Sequence, residues 1–465
     1  MSVLDEIVAR KRADVAERME RAPYSELREK AVPTERSFGA ALKKPGLRFI
    51  MECKKASPSE GMIRKNFDIA EIAGAYKNFA DAVSVLTDSP YFQGGLDVLR
   101  SARGLLDQPI LAKDFVIGPY QVCEARVYGA DAVLLMLSVL GDAAYKTCAD
   151  EARRLGMDAL TEVHSEEELD RAIRLDAPII GINNRNLKTL EVDLGVYSRL
   201  VKKIREKSPG GIAVCESGIG SRRDVLALKD HADAFLVGSA LMKAERIDLA
   251  ARRLIYGGVK ICGLTSPEDA AKAYEAGASF GGVIFAPESP RRVDAAKARE
   301  ISLASPLPLA GVFVNEEIKK ISSIASTVGF SAVQLHGEES GEYVGALREC
   351  LPAGCEIWKS ARVRGSTMPS GPAFDSADRV LLDTFDEGAR GGTGHSFDWS
   401  VIKLLPGLSR IIIAGGIGPD NARRASELGC FAIDVNSGVE GASCKKGVKD
   451  HRKIENLFKN LRGDI

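Results

Sequence analysis

CESGIG at residues 215–220, then a helix-like run, then AFLVGSALM at 234–242: this stretch recurs near the C-terminus as IAGGIG (413–418), a second helix-like run and AIDVNSGVE (432–440). In both copies an apolar strand ends in Gly-Ile-Gly, and a second apolar strand ends in a serine and glycine pair. Glycine lets main-chain N–H groups approach a phosphate closely, with a helix N-terminus behind it. Two successive strand ends equipped this way make the phosphate corner of many (β/α)8 barrels, after strands seven and eight. Gly218 and Gly416 stand 198 positions apart, and Gly238 and Gly438 stand 200 apart. A repeat of that length predicts an α/β fold of two tandem (β/α)8 TIM barrels rather than a solenoid.

Working outward, the first half alternates short apolar runs with helix-length segments: FIMECKK from Phe49, DAVSVLTD, PILAKDF, DAVLLML, DALTEVH, IIGINNR, IAVCESG and AFLVGSA. The second half repeats the rhythm with VKICGL, FGGVIF, PLAGVFV, AVQLHG, EIWKSA, RVLLDT, RIIIAGG and FAIDVNSG. Near-continuous apolar runs separated by helices are what a parallel sheet covered on both faces requires. The junction falls at Tyr256-Gly257-Gly258, which divides the chain into 1–255 and 256–465. Residues 1–48 read as a helical lead-in, with an apolar face of Val3, Leu4, Ile7, Val15 and Met19 broken by Pro23 and Pro33. As a lid or as a brace, this segment is undecided by pattern alone.

Composition agrees with two large cores. Of 465 residues 45% are hydrophobic, and 64 basic side chains balance 64 acidic ones. A net charge of zero offers no basic surplus for nucleic acid or anionic membrane. The longest apolar run, Ala132 to Leu140 interrupted at Ser138, is too short to span a bilayer. MSVLDEIVARKRAD mixes acid with base, so no secretory leader is expected. Nine cysteines and five histidines lack metal-ligand spacing. Reduced thiols, no metal, no cofactor and a cytoplasmic location are the expectations.

Chemistry belongs at the C-terminal ends of barrel strands. In the first half those ends carry Glu52 and Lys54, Lys113, Glu162, Asn183 and Arg185, then Glu216 and Ser217. Ammonium and carboxylate groups held close shift one another's pKa and become poised acids and bases. In the second half Cys262 ends strand one, Asp383 ends strand six and Arg291 follows strand two. A thiolate and a carboxylic acid on opposite sides of a mouth can bracket a sugar. One removes a proton from carbon while the other protonates the ring oxygen. Each residue taken singly has a structural reading as well: ion pairs for the charges, a buried core thiol for Cys262, a helix cap for Asp383.

ECKKASPSEG, AKDF, LTEVH, GINNRNL, CESGI and VGSALM, in that order over residues 49–242, resemble the indole-3-glycerol-phosphate synthase family. KICGLT, FAPESPRRV, VQLHG, LLDT, GGTGHSFDW, IAGGIGPDN and DVNSGVE, over 260–440, resemble phosphoribosylanthranilate isomerase. The resemblance implies a bifunctional enzyme acting on phosphorylated anthranilate derivatives without cofactor. It implies Lys113 as general acid in ring closure, Glu162 as proton-transfer partner, Lys54 near the substrate carboxylate, Glu52 holding the lysines and Glu216 assisting. Asn183, Arg185 and Ser217 would contact substrate; Ser57, Gly218, Gly238 and Ser239 would hold phosphate. In the isomerase half it implies Cys262 as general base, Asp383 as general acid and Arg291 on a carboxylate. His336 would face the mouth there, and Gly391, Gly392, Thr393, Gly416, Ser437 and Gly438 would supply the phosphate site. Glu60 departs from the SPSxG motif, which often has lysine there, and Lys449 reads as a solvated charge. One alternative is that a single barrel is catalytic and the other is a scaffold that binds a phosphometabolite. A monomer is the expected state.

Overall fold

The computed structural model describes residues 3–186, 189–363, 371–384, 399, 402, 407–441 and 446–464. Two compact units divide at 251/252, within the helix Ile247–Tyr256.

The first unit closes eight parallel strands in chain order: Arg48–Cys53, Ala82–Leu86, Ile110–Lys113, Ala132–Met136, Asp158–Val163, Ile179–Asn183, Ile212–Glu216 and Ala234–Val237. Pairing of Arg48–Met51 with Ala234–Val237 seals the ring. Because strand side chains alternate between faces, every second residue points inward. Ile50, Leu111, Leu134, Leu160, Ile179, Val214 and Leu236 therefore fill the barrel, and Phe38 and Leu42 join them from the short helix Phe38–Leu42. The N–H of Gly39 donates to Asp158, at the start of strand five, so this helix plugs the N-terminal end. Outward-facing Phe49, Met51 and Cys53 are equally buried, beneath the helical ring.

Two steps further along the same inward faces lie the residues of interest. Glu52 follows Ile50, Lys113 follows Leu111, Glu162 follows Leu160, and Glu216 follows Val214. Core and mouth are thus consecutive layers of one alternating pattern.

The second unit closes Val259–Ile261, Phe280–Ile284, Leu309–Phe313, Ala332–Leu335, Glu356–Val363, Arg379–Thr384, Ile411–Ile413 and Ala432–Val435 in the same way. Its inner layer is more aromatic: Trp358 meets Phe280 edge-on, with ring centroids 5.2 Å apart, amid Ala310, Leu381 and Ile412. In both units, helices after the strands start at side-chain caps such as Asp68, Ser165, Ser266, Asp294 and Ser340, each accepting a backbone N–H. Such a cap contributes about 1 kcal/mol.

The N-terminal segment is one continuous helix, Val3–Arg21, that buries Ile7, Lys11 and Val15 on a single face, while Met19 stays exposed. Lys11 enters the protein to contact Asp88 and Asp114, both at 2.7 Å, which lie just beyond strands two and three. This ionic peg fixes the helix at the mouth. No described helix is long and apolar enough to cross a membrane.

Candidate active sites

At the mouth of the first barrel lies a cavity of about 520 Å³ lined by Glu52, Lys54, Lys113, Glu162, Asn183, Arg185 and Glu216. Ser57, Ser217, Gly218, Gly238 and Ser239 line it too, so all twelve residues named from the sequence for this site converge. Val3, Leu4 and Ile7 of the N-terminal helix complete the wall. That helix is both brace and wall.

Lys113 is the hub. Its Nζ donates to Glu162 Oε2 at 3.2 Å and lies 3.6 Å from Glu216 Oε2. Burial alone would lower its pKa, but Glu162, Glu216 and Glu52 outweigh burial and raise it, so the ammonium persists. The two carboxylates behave oppositely. Glu162 is held below the usual range: burial opposes its ionisation, but Lys113, His164 and the Asn183 amide stabilise the anion. Glu216 is pushed up to about 8 by burial and by the neighbouring Glu162 charge, against the pull of Lys113. The pair is split, Glu162 favouring the carboxylate and Glu216 the carboxylic acid, the arrangement of paired acid–base sites.

His164 was not singled out by its sequence motif. Its Nε2 approaches Glu162 Oε1 at 3.1 Å, out of line for a hydrogen bond but close as an ion pair, and Nδ1 lies 3.3 Å from Glu168. Burial would lower the imidazole pKa, yet these carboxylates raise it to about 10. Glu52 holds Lys54 at 3.0 Å. Two glycines make room for the carboxylates: a Cβ at Gly238 would strike Glu52, and one at Gly181 would strike Glu216.

Beside this cluster the chain bends sharply. Ser217 (φ 63°) and Gly218 (φ 88°) are both left-handed, directly after strand seven. A Cβ on Gly218 would sit 2.7 Å from Val192, so this position is glycine for both reasons. Ser57 and the strand-eight residues Gly238 and Ser239 face the same corner. Glu60 reaches into it: its carboxylate accepts from Ser239 Oγ at 3.1 Å and pairs with Lys243 at 2.7 Å, with Arg185 3.8 Å away. The departure from lysine thus places an acid beside Ser239, neutralised by Lys243.

The second barrel holds a cavity of about 480 Å³ lined by Cys262, Arg291, His336, Asp383, Gly416 and Ser437. Gly438 sits behind this wall, where a Cβ would collide with the Ile417 carbonyl; the strand-seven and strand-eight loops touch there. Gly391, Gly392 and Thr393 lie outside the described residues.

His336 Nε2 lies 3.6 Å from Asp383 Oδ2, and its Nδ1 lies 3.2 Å from the Gln334 amide. The histidine therefore belongs to the site, beside Asp383. Arg291 is clamped by Glu440, with Nε and Nη2 donating at 2.6 and 2.9 Å. Gly263 (φ 70°) lets Arg291 pass: a Cβ would lie 2.7 Å from its Cδ. Lys449 corrects the sequence reading. It is not solvated but buried, with Nζ donating to Asn436 O and Oδ1 at 3.0 Å and to Glu440 at 3.1 Å. Its neighbours Val448 and Asp450 gave no hint, because its partners are Asn436 and Glu440.

Sequence reading also missed Lys260, fully buried two residues before Cys262. Its Nζ donates to Cys262 Sγ at 3.2 Å, Gln334 Oε1 at 2.7 Å and Asp434 Oδ2 at 2.8 Å. Burial raises the Cys262 pKa and Asp434 adds to this, while Lys260 and Lys449 pull it down; the net direction is up. Period-two alternation placed Lys260 on the same inward face as Cys262, and that was the available signal.

Two parallel barrels, each carrying acid–base groups beside a glycine-lined corner after strands seven and eight, define an enzyme of phosphorylated sugars with two sites on one chain. Comparison with known proteins gives the particular family. Residues 4–254 match the family Indole-3-glycerol phosphate synthase, and 259–460 match N-(5'phosphoribosyl)anthranilate (PRA) isomerase. The "Tryptophan biosynthesis protein TrpCF" of Vibrio parahaemolyticus is 49% identical, over 99% of this chain and 94% of that protein. Those of Yersinia pestis and Salmonella typhi are 46% and 44% identical over 99% of this chain, covering 94% and 99% of theirs. The chain belongs to this family of fused synthase and isomerase proteins. It is a bifunctional tryptophan-biosynthesis enzyme, with the lyase in the N-terminal barrel and the isomerase in the C-terminal one.

Proposed function

We propose the following division of labour, with residues 1–255 forming the synthase part and 256–465 the isomerase part. In the isomerase site Asp383 protonates the ring oxygen of N-(5-phosphoribosyl)anthranilate, opening the ribose to an iminium. Cys262 then removes the proton from carbon 2, and ketonisation yields 1-(2-carboxyphenylamino)-1-deoxyribulose 5-phosphate. Arg291 receives the anthranilate carboxylate, and Gly391, Gly392, Thr393, Gly416, Ser437 and Gly438 surround the phosphate. His336 holds Asp383.

In the synthase site Lys113 protonates the substrate ketone, which favours attack by the anthranilate ring carbon and loss of CO2. Glu162 takes part in the proton transfers that expel water. Lys54 faces the substrate carboxylate, Glu52 fixes Lys54, Glu216 assists Lys113, and Asn183, Arg185 and Ser217 orient the substrate. Ser57, Gly218, Gly238 and Ser239 take the phosphate.

One observation carries this reading: in each unit the proton-transfer groups and the glycine-lined corner open into a single cavity. The test assays the two reactions separately on the native chain and on Lys113→Ala and Cys262→Ala. Positioned acids and bases contribute ~10²–10⁴-fold. Each variant is expected to lose that much in one reaction and retain the other. Loss of both activities in either variant would refute independent sites, and a single native activity would favour the scaffold alternative. A monomer in the cytoplasm completes the proposal. Every described cysteine is unpaired, as a reducing compartment allows, and sedimentation of the native chain gives its mass directly.

A further inference from the structure

Asp434 has no role in the reading above, yet its surroundings are those of a working group. It lies on strand eight, one residue before the strand's end and on the inward face, and is 9% exposed. Oδ2 accepts from Lys260, while Oδ1 has no partner among the described residues. It lines the same cavity as Cys262 and Asp383. An unpaired carboxylate oxygen in a low-dielectric site costs free energy unless something fills its place. The Lys260 ammonium spends its three protons on Cys262, Gln334 and Asp434 and has none for a ligand. Oδ1 is therefore the acceptor left unpaired, buried at the wall of the cavity, on a carboxylate bound to the same ammonium as the base.

The isomerase chemistry requires such an acceptor. When the C2–H bond breaks, its electron pair forms the C1=C2 bond, the iminium π pair moves to nitrogen, and the proton goes to the Cys262 thiolate. Ketonisation then breaks the O–H bond at carbon 2: its pair becomes the C=O π bond, and C1 takes a proton back from the thiol. The hydroxyl proton must leave. Resting on the assignment of Cys262 as base, we propose that Asp434 is a further catalytic residue of the isomerase site, its Oδ1 accepting the proton of the substrate hydroxyl on carbon 2. From Asp434 that proton passes to solvent, which balances the one Asp383 delivered to the ring oxygen. Lys260 ties the two groups together by donating to both Sγ and Oδ2.

A purely electrostatic role for Asp434 predicts the opposite behaviour. Its charge raises the thiol pKa, so its removal would leave Cys262 more ionised and, in that case, the isomerase as fast or faster. The experiment uses the full chain and measures two quantities for Asp434→Asn: isomerase kcat, and the rate of iodoacetamide alkylation at Cys262 by peptide mass spectrometry. Expected are a kcat lower by about 100-fold or more, the range of a lost proton-transfer group, and an alkylation rate equal to or above native. A kcat within about 3-fold of native, or one that falls only in step with alkylation, would overturn the proposal.

Because Asp434→Asn strands a buried ammonium, the comparison is repeated on a Lys260→Met background, where the charge pair is removed together. Asp434→Asn should still cost about 100-fold there; no further loss on that background would reduce Asp434 to a counter-ion and refute the assignment. Failure of the underlying reading looks different: a native chain without isomerase turnover, or a Cys262→Ala variant that retains it.

Discussion

Glu216 gives the sharpest test of the first site, because its surroundings favour the protonated form. Its carboxyl is pushed up to about 8 by burial first and by Glu162 second, whereas the unfolded chain releases that proton near the ordinary value of ~4.3. Between those values the folded state binds one more proton than the unfolded state, so Glu216 makes stability fall as pH rises. The slope is about 1.4 kcal/mol per pH unit, or roughly 3 kcal/mol from pH 5 to 7. Glu216→Gln mimics the acid form and cannot ionise. The stability difference, variant minus native, should therefore grow by about 1.4 kcal/mol per pH unit between about 5 and 8 and then level off. His164, raised to about 10, adds a slope of the same sign above its ordinary value of ~6.5, but in both proteins, and drops out of the difference. The assay is denaturant unfolding. Both tryptophans, Trp358 and Trp399, lie in the second unit, so a circular-dichroism transition without a change in tryptophan fluorescence belongs to the first. Synthase turnover of the variant at pH 7 should stay within about 10-fold of native, while Glu162→Gln should lose ~10² or more. A pH-independent stability difference would show that Glu216 is already an anion in the folded chain, and a loss of turnover equal to that of Glu162→Gln would show that its carboxyl takes part in the proton transfers.

Two further predictions concern packing. Gly282, on the strand beside Cys262, leaves space that a Cβ would take at 2.8 Å from Cys262 Sγ and 2.9 Å from Lys260 Cε. Gly282→Ala should lower isomerase kcat about 10-fold or more through a small displacement of the base, at a cost of ~1–3 kcal/mol in the second unit, and leave synthase turnover at the native value. Unchanged isomerase kinetics would refute it. Lys11→Met leaves Asp88 and Asp114 buried without their shared counter-charge and should destabilise the first unit by ~3–5 kcal/mol, read from the same fluorescence-silent transition. A loss under about 1 kcal/mol would mean the peg behaves as a surface pair.

The fold was legible because a barrel strand covered on both faces is a short apolar run with little else in it, and sixteen such runs can be counted by eye. The mouth of the first barrel was legible because its charges stand at the ends of those runs, where the apolar pattern breaks and the charges meet one another. The missed residues share a different property. Lys260, Asp434 and Lys449 carry charge inside the protein and find partners elsewhere in the chain: Lys260 at 334 and 434, Asp434 at 260, Lys449 at 436 and 440. From the sequence a buried lysine cannot be told from a solvated one, because the burial is tertiary. His164 failed in another way, its ring turned back onto Glu162 from one residue beyond the strand.

The two mouths place proton-transfer groups by different electrostatic means. In the first, Lys113 sits between carboxylates that must share its charge, and the crowding drives one of them, Glu216, to hold a proton. Two like groups are thereby pushed apart in pKa, Glu162 down and Glu216 up. In the second, the proposed base is a thiol whose burial and acidic neighbour favour its protonated form, opposed by two buried ammonium groups. Asp434 enters that balance: paired with Lys260, its charge opposes the ammonium's pull on the sulfur. A substrate hydroxyl donated to Oδ1 would draw charge density from the carboxylate and return the pull of Lys260 to Cys262. Substrate binding would then itself favour the thiolate, and the base would be strongest when its substrate is in place.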